Sequence, residues 1–257
     1  MLTAKHNLAS THVFARDVQK SDVPFICPSC GKEVILHKGN IKIHHFQHKP
    51  PVTCSRGEGE SQLHYMIKLA IYDSLKLETN VTDVEVEKDF GIATADVFAR
   101  IDGIPVAIEV QRSKLSVQSI TSRTANYNRL NIAVLWVALP FSELATKKYS
   151  PSAWEKWVHA ANYGRVYYWQ SGQILRAVHF GEHKLHVQSS SWFESGGEER
   201  SSGGYYRRSK RYRTPAFGRD VEISKRFQLK YRSAPYAQGT IVVPSCRLYL
   251  DSQAKWW

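Results

Sequence analysis

The run Ile92-Ala-Thr-Ala-Asp-Val-Phe-Ala-Arg-Ile-Asp-Gly-Ile-Pro-Val-Ala-Ile-Glu-Val-Gln111 decides the fold of this chain. Asp102-Gly103 divides two apolar segments, and an Asp-Gly pair favours the two-residue hairpin turn whose central residues take positive φ. Ile92–Ile101 and Ile104–Gln111 therefore read as antiparallel strands. With that turn, residues whose numbers sum to 205 face one another, so Asp96 meets Glu109 and Thr94 meets Gln111. Alternation then puts Asp96, Phe98, Ala107, Glu109 and Gln111 on one face. Two carboxylates opposed on a ladder repel unless a cation stands between them, and oxygen ligands suit Mg²⁺ or Mn²⁺. The competing reading is an ordinary alternating strand whose acids face water, with Val97, Ala99, Ile108 and Val110 buried behind them.

Outward from the hairpin, Glu60–Leu77 predicts a helix with Leu63, Ile67, Ile71 and Leu75 four apart on one face. Glu60, His64 and Lys68 share the same spacing and form a polar strip beside that stripe. Val81–Lys88 reads as a strand, Ser116–Leu130 as a second helix and Ile132–Leu139 as a buried strand. The second helix presents Arg123 and Tyr127 one turn apart, and a guanidinium matches the geometry of a phosphate. The order α-β-β-β-α-β predicts an α/β domain with a mixed sheet flanked by helices.

Upstream, Cys27-Pro-Ser-Cys-Gly31 is a knuckle whose thiolates can chelate one ion. Val34–Leu36, a Gly39-Asn40 turn, Ile41–Ile43 and His44-His-Phe-Gln-His48 continue it as a hairpin. A Cys pair and a His pair on one hairpin, over about 24–54, predict a structural zinc site held by Cys27, Cys30, His45 and His48, with His44 and Cys54 as substitutes. So small a segment buries little core, so metal would supply much of its folding energy. A redox pair usually opens a helix, and a disulfide is disfavoured in a reducing compartment.

The 257 residues carry 35 Lys and Arg against 23 Asp and Glu, a net charge of +12. Eleven of the basic residues and only Asp220 and Glu222 lie between Arg200 and Arg232, a local balance of +9. A basic block without an amphipathic apolar face favours DNA over membrane as partner. Arg207, Arg208, Lys210, Arg211 and Arg213, interleaved with tyrosines, are the expected contacts there. No apolar run approaches the roughly 20 residues of a membrane span, and no signal-like h-region opens the chain, which predicts a cytoplasmic protein. Composition divides the chain into 1–58, 59–187 and 188–257, the last a Ser/Gly/Arg/Tyr-rich basic extension expected to be partly flexible.

Taken in order, Cys27–Gly31, His45–His48, Gly59-Glu-Ser61 with His64 and Lys68, Ala95-Asp-Val97, Ile108-Glu-Val-Gln-Arg-Ser113 and Arg123–Tyr127 resemble the CoiA-like competence protein family. The resemblance implies a zinc-finger-like N-terminus followed by a restriction-endonuclease-like nuclease domain of the PD-(D/E)xK type, with an αβββαβ core. It implies Asp96 and Glu109 as metal acids for Mg²⁺ or Mn²⁺, with Glu60 as the helix acid. Arg123 to Tyr127 resembles the Gln-x-x-x-Tyr signature of RecB-like nucleases, with Arg in place of Gln. One position departs: the lysine two residues after the Glu is Gln111, which can place a water but carries no charge. Lys68 is then the expected source of positive charge. The expected activity is metal-dependent hydrolysis of DNA, in processing or recombining incoming or foreign DNA, with a second copy or recombination or defence proteins as further partners. The alternative is a DNA-binding accessory on a degenerate nuclease scaffold; a regulator is disfavoured because no recognition helix follows the His pair.

Overall fold

The computed structural model describes residues 1–6, 11–51, 54, 60–111, 115–139, 142–238 and 241–257. Five short antiparallel strands, β1 (Thr3–His6), β2 (His12–Phe14), β3 (Phe25–Ile26), β4 (Glu33–His37) and β5 (His45–His48), form a sheet in the order β2-β1-β3-β4-β5. In β4, Val34 and Leu36 point inward between exposed Glu33, Ile35 and His37. They meet Met1, Ala4, Phe25 and Phe46 in a small core of its own. The expected strand at Ile41–Ile43 is absent: β4 pairs directly with His45–His48, and 38–44 is a loop with Ile41 fully exposed.

Helix α1 (Gln62–Lys76) starts where the Ser61 hydroxyl accepts from the His64 amide. Its apolar stripe runs through Ile67, Ile71 and Leu75, flanked by Tyr65 and Tyr72; Leu63 stays exposed. Strands β6 (Val81–Asp89), β7 (Thr94–Ile101) and β8 (Ile104–Gln111) follow as a meander, then α2 (Val117–Arg129) and β9 (Ala133–Ala138). The β7–β8 turn has positive φ at Asp102 and Gly103, 49° and 77°, as a mirror-image two-residue turn demands. The register runs from Ile101 opposite Ile104 to Val97 opposite Ile108, the pairing that the turn dictates. Crossing through α2, β9 lies parallel to β8, with Glu109 beside Trp136. Both faces of β7 and β8 are covered: Val97, Ala99 and Ile108 are buried, and so are Phe98, Ala107 and Glu109, so no acid-bearing face is left to water.

Helix α3 (Ala153–Ala161), closed by a Ser152–Glu155 capping box, leads into β10 (Val166–Ser171) and the long β11 (Ile174–Val187). The tip hairpin β12 (Ser190–Phe193) and β13 (Glu199–Ser202) precedes β14 (Tyr205–Glu222), which returns along β11 as the sheet edge. A four-residue helix, α4 (Ile223–Arg226), then precedes β15 (Phe227–Arg232), β16 (Tyr236–Gln238), β17 (Ile241–Val243) and β18 (Cys246–Asp251). The main sheet runs β14-β11-β10-β9-β8-β7-β6, and β18 joins β15 to the start of β9 through Leu248 opposite Val134. Residues 188–257, read from composition as a basic extension, contain β12 to β18. Cys246, Leu248, Tyr249 and Leu250 are buried in the main core, an apolar strand hidden behind the charged composition upstream. Among the described residues no helix is long and apolar enough to cross a membrane.

Candidate active site and metal centre

In the N-terminal sheet, the donor atoms of Cys27, Cys30, His48 and Cys54 all lie within 4.8 Å of one another. The Cys27 amide donates to the Lys32 carbonyl at 2.8 Å, and Gly31, with φ of 70°, returns its amide to the Cys27 carbonyl at 2.9 Å. That turn brings the two sulfurs together, and Cys30 Sγ stands 3.4 Å from His48 Nε2. Burial pushes the Cys27 thiol up, a penalty that a bound cation reverses because the thiolate is the ligand form. Three sulfurs and one imidazole nitrogen at these separations can hold a tetrahedral zinc ion.

His45 does not belong to this cluster. Residues three apart on a strand point to opposite faces, so His45 and His48 cannot both turn toward the knuckle. The His45 ring instead stacks between His37 and Tyr65, and its Nδ1 lies 2.8 Å from the Ile43 carbonyl. Cys54, held as a substitute on sequence grounds, completes the set, and His44 lies outside it.

The second cluster forms where α1 meets the open ends of β7 and β8. One turn of α1 puts His64 and Lys68 on one strip, which Glu60 joins from just before the helix; Lys68 is buried against the sheet and Glu60 and His64 are part-exposed. Lys68 is 1% exposed, and its Nζ lies 2.5 Å from Glu60 Oε1, 2.9 Å from Glu87 Oε1 and 3.4 Å from Asp96 Oδ1. His64 bridges the same acids, with Nδ1 3.3 Å from Glu60 and Nε2 3.4 Å from Asp96. Burial works against charge on all of these groups. The close opposite charges nevertheless hold Asp96 and Glu60 well below the usual carboxylate range, and Asp96 and Glu60 raise His64 to about 9.

Past Val97, β7 and β8 part, and Asp96 Oδ2 takes the Val110 amide at 2.9 Å instead of a strand partner. Glu109 is wholly buried; one oxygen accepts from Arg123 Nη2 and the other from the Tyr127 hydroxyl. Burial, reinforced by nearby Asp96 and opposed by Arg123, lifts Glu109 to about 7. Arg123 also reaches the Thr94 carbonyl at 3.4 Å and lies over the Trp136 ring. Gln111 is buried two residues beyond Glu109, on the same face of β8. Gly59, Arg112 and Ser113 lie outside the described residues.

The structure thus brings together Glu60, His64, Lys68, Asp96, Glu109, Arg123 and Tyr127. Within that group the donors of Glu60, His64 and Asp96 lie within 4.8 Å of one another, and His64 Nε2 is buried without a hydrogen-bond partner. Two carboxylates and an imidazole that gives up its proton on binding fit a divalent ion of the Mg²⁺ or Mn²⁺ kind. The basic residues of β14 are not part of the cluster, because β14 is the opposite edge of the sheet from β6 and β7. There Arg208 pairs with Glu182 at 3.0 Å, and Arg213 donates to the Ser209 and Tyr212 carbonyls.

Glu87 is a member that the sequence did not reveal. Positive φ at Asp83 and at Glu87 itself interrupts the alternation of β6, so Val86 and Glu87 are both buried. Its carboxylate accepts from the Leu2 and Thr3 amides at 2.8 and 3.0 Å and from the Thr3 hydroxyl at 3.1 Å. An isolated acid in an exposed-looking strand carries no signal of this kind.

Two family models match the chain: "Competence protein CoiA, N-terminal domain" over residues 10–56 and "Competence protein CoiA, nuclease-like domain" over residues 60–195. Competence protein CoiA of Bacillus subtilis (strain 168) is 30% identical to it over 114 residues, 44% of this chain. That match covers 31% of the curated relative's length, so the chain spans under a third of it. No solved structure matches. With the Cys27, Cys30, His48 and Cys54 cluster inside the first matched region and the acid cluster inside the second, the chain belongs to the CoiA competence protein family.

Proposed function

We propose that this chain is a metal-dependent nuclease that hydrolyses DNA, acting in the cytoplasm on incoming or foreign DNA alongside recombination or defence proteins. The observation that carries the reading is the convergence of His64 and Lys68 from α1, and of Glu60 just before it, with Asp96 and Glu109 from the parted ends of β7 and β8. The α-β-β-β-α-β order around them fits the restriction-endonuclease-like core. Asp96, with Glu60 and His64, would hold Mg²⁺ or Mn²⁺, which when bound polarises the phosphate and acidifies its water.

The chain's own groups divide the remaining work. Lys68 carries the buried positive charge that Gln111 lacks, and it reaches Asp96 from the helix rather than from β8. Glu109, titrating near neutrality, is suited to accept a proton from the attacking water or to join the metal ligands. Arg123, 34% exposed at its side chain, is placed to exchange Glu109 for a phosphate oxygen.

The test is incubation of the full chain with linear and circular, single- and double-stranded DNA in Mg²⁺ or Mn²⁺. Cleavage is expected to fall by about 10²-fold or more in Asp96→Asn and Glu109→Gln. Undiminished cleavage by those variants refutes the site. A second reading, a DNA-binding accessory without catalysis, is favoured by one observation: Lys68, Arg123 and Tyr127 already satisfy the acids without an ion. Binding without cleavage in either metal would establish it.

A further inference from the structure

The β11–β14 ribbon continues beyond the sheet as two paired strands, Lys184 to Val187 against Tyr205 to Arg208. Segments 183–187 and 205–213 hold six Lys or Arg and no Asp or Glu. Among the described residues the acid paired with any of them is Glu182, on Arg208. Alternation gathers Lys184, His186, Tyr206 and Arg208 on one face, all exposed, with the His186 and Tyr206 rings 5.0 Å apart. Tyr206 is 70% exposed and Tyr205 50%, a costly display of aromatic surface unless something stacks on it.

At the base of this ribbon lies a cleft of about 760 Å³ that Arg208 and Arg213 also line, so ribbon and cleft form one continuous surface. Its other walls include Tyr163, Phe180 and Arg232. The Arg232 guanidinium lies over the Tyr163 ring at 4.3 Å, and its Nε is buried without an acceptor. The tip beyond Gln188 differs: Glu194, Glu198 and Glu199 outnumber Arg200 there, so a polyanion is excluded from it.

We propose that the ribbon and the cleft at its base are a binding track for single-stranded nucleic acid, sharing no residue with the acid cluster. Unpaired bases offer ring faces to Tyr206 and Tyr163 while the guanidinium and ammonium groups follow the phosphates. In a duplex the bases are already stacked on one another, and these rings gain nothing from it. The proposal rests on the nuclease reading in naming the strand form of its substrate. Binding is read in EDTA, where no cleavage occurs, so failure of one is told apart from failure of the other.

The experiment is fluorescence anisotropy of a labelled thymidine oligonucleotide of about 15 nucleotides against a duplex of the same length, with the full chain in EDTA. The single strand is expected to bind at least roughly tenfold more tightly. Tyr206→Ala should weaken it about tenfold while Tyr206→Phe retains binding, and Lys184→Ser should lower the salt slope by about 0.7. Shortening the acidic tip between residues 190 and 202 should leave affinity unchanged. Equal affinity for duplex, or full affinity in both Tyr206→Ala and Lys184→Ser, overturns the proposal. So does a preference for phosphatidylserine vesicles over the oligonucleotide that the same substitutions abolish.

Discussion

Replacing Lys68 by Met keeps most of the buried stem and removes the ammonium that faces Glu60, Glu87 and Asp96 at 2.5, 2.9 and 3.4 Å. Asp96 then loses its main counter-charge, while Glu60 keeps His64 and the Met1 amino group and Glu87 keeps the Leu2 and Thr3 donors. Breaking a buried ion pair from one side costs about 3–5 kcal/mol, which for a chain of this size lowers Tm by roughly 6–20 °C. The pH dependence fixes the cause. Lys68 helps hold Asp96, Glu60 and Glu87 below their ordinary range. A carboxylate with a depressed folded pKa contributes stability above its unfolded value, about 4, and loses it as pH falls through the folded one. The penalty of Lys68→Met should therefore be full at pH 7 and shrink as pH falls below about 4, measured by urea unfolding in EDTA. Added Mn²⁺ should recover part of it at pH 7 by replacing the lost charge. A loss under about 1 kcal/mol, or one as large at about pH 2 as at pH 7, would refute the assignment of Lys68 as the charge that holds the acids together.

Cys54→Ser should abolish zinc retention while His45→Ala preserves it, by elemental analysis; the reverse pattern returns His45 to the ligand set. Burial lifts Glu109 to about 7, above its unfolded value near 4.5. Its ionisation therefore removes stability as pH rises between those values, and Glu109→Gln should flatten that part of the curve in EDTA. His64, raised to about 9 by Asp96 and Glu60 against burial, contributes stability that is complete below about 6.5 and lost as pH rises through 9. His64→Gln should remove that alkaline slope, and an unchanged slope would show that His64 is neutral in the fold. Leu248→Ala should cost about 2–5 kcal/mol in chemical unfolding, whereas a near-zero cost would mean that β18 is not part of the core.

The hairpin around Asp102-Gly103 was legible because turn chemistry and a period of two agree there, and together they fix a register to the residue. The helix strip was legible for the same reason at a period near four. The metal knuckle was half legible: Cys27 and Cys30 lie in one turn, but the partners depend on strand facing and on Cys54 arriving from outside the hairpin. Glu87 escaped because positive φ breaks the alternation on which strand reading rests. Gln111 raised the question of a missing lysine, yet only the fold shows Lys68 reaching Asp96. The β14–β18 region escaped because composition averages over a window, and a short apolar strand such as Cys246–Leu250 vanishes beside eleven basic residues.

The way β18 lies along the start of β9, and the way Leu2 and Thr3 bond Glu87, bear on how this protein can be dissected. A fragment cut to residues 60–195, the span of the nuclease-like match, would strip a neighbour from a central strand and leave that ladder open to water or to another chain. The same cut would orphan a buried carboxylate by removing its amide donors. Sequence homology here outlines a unit of descent that is smaller than the unit of folding.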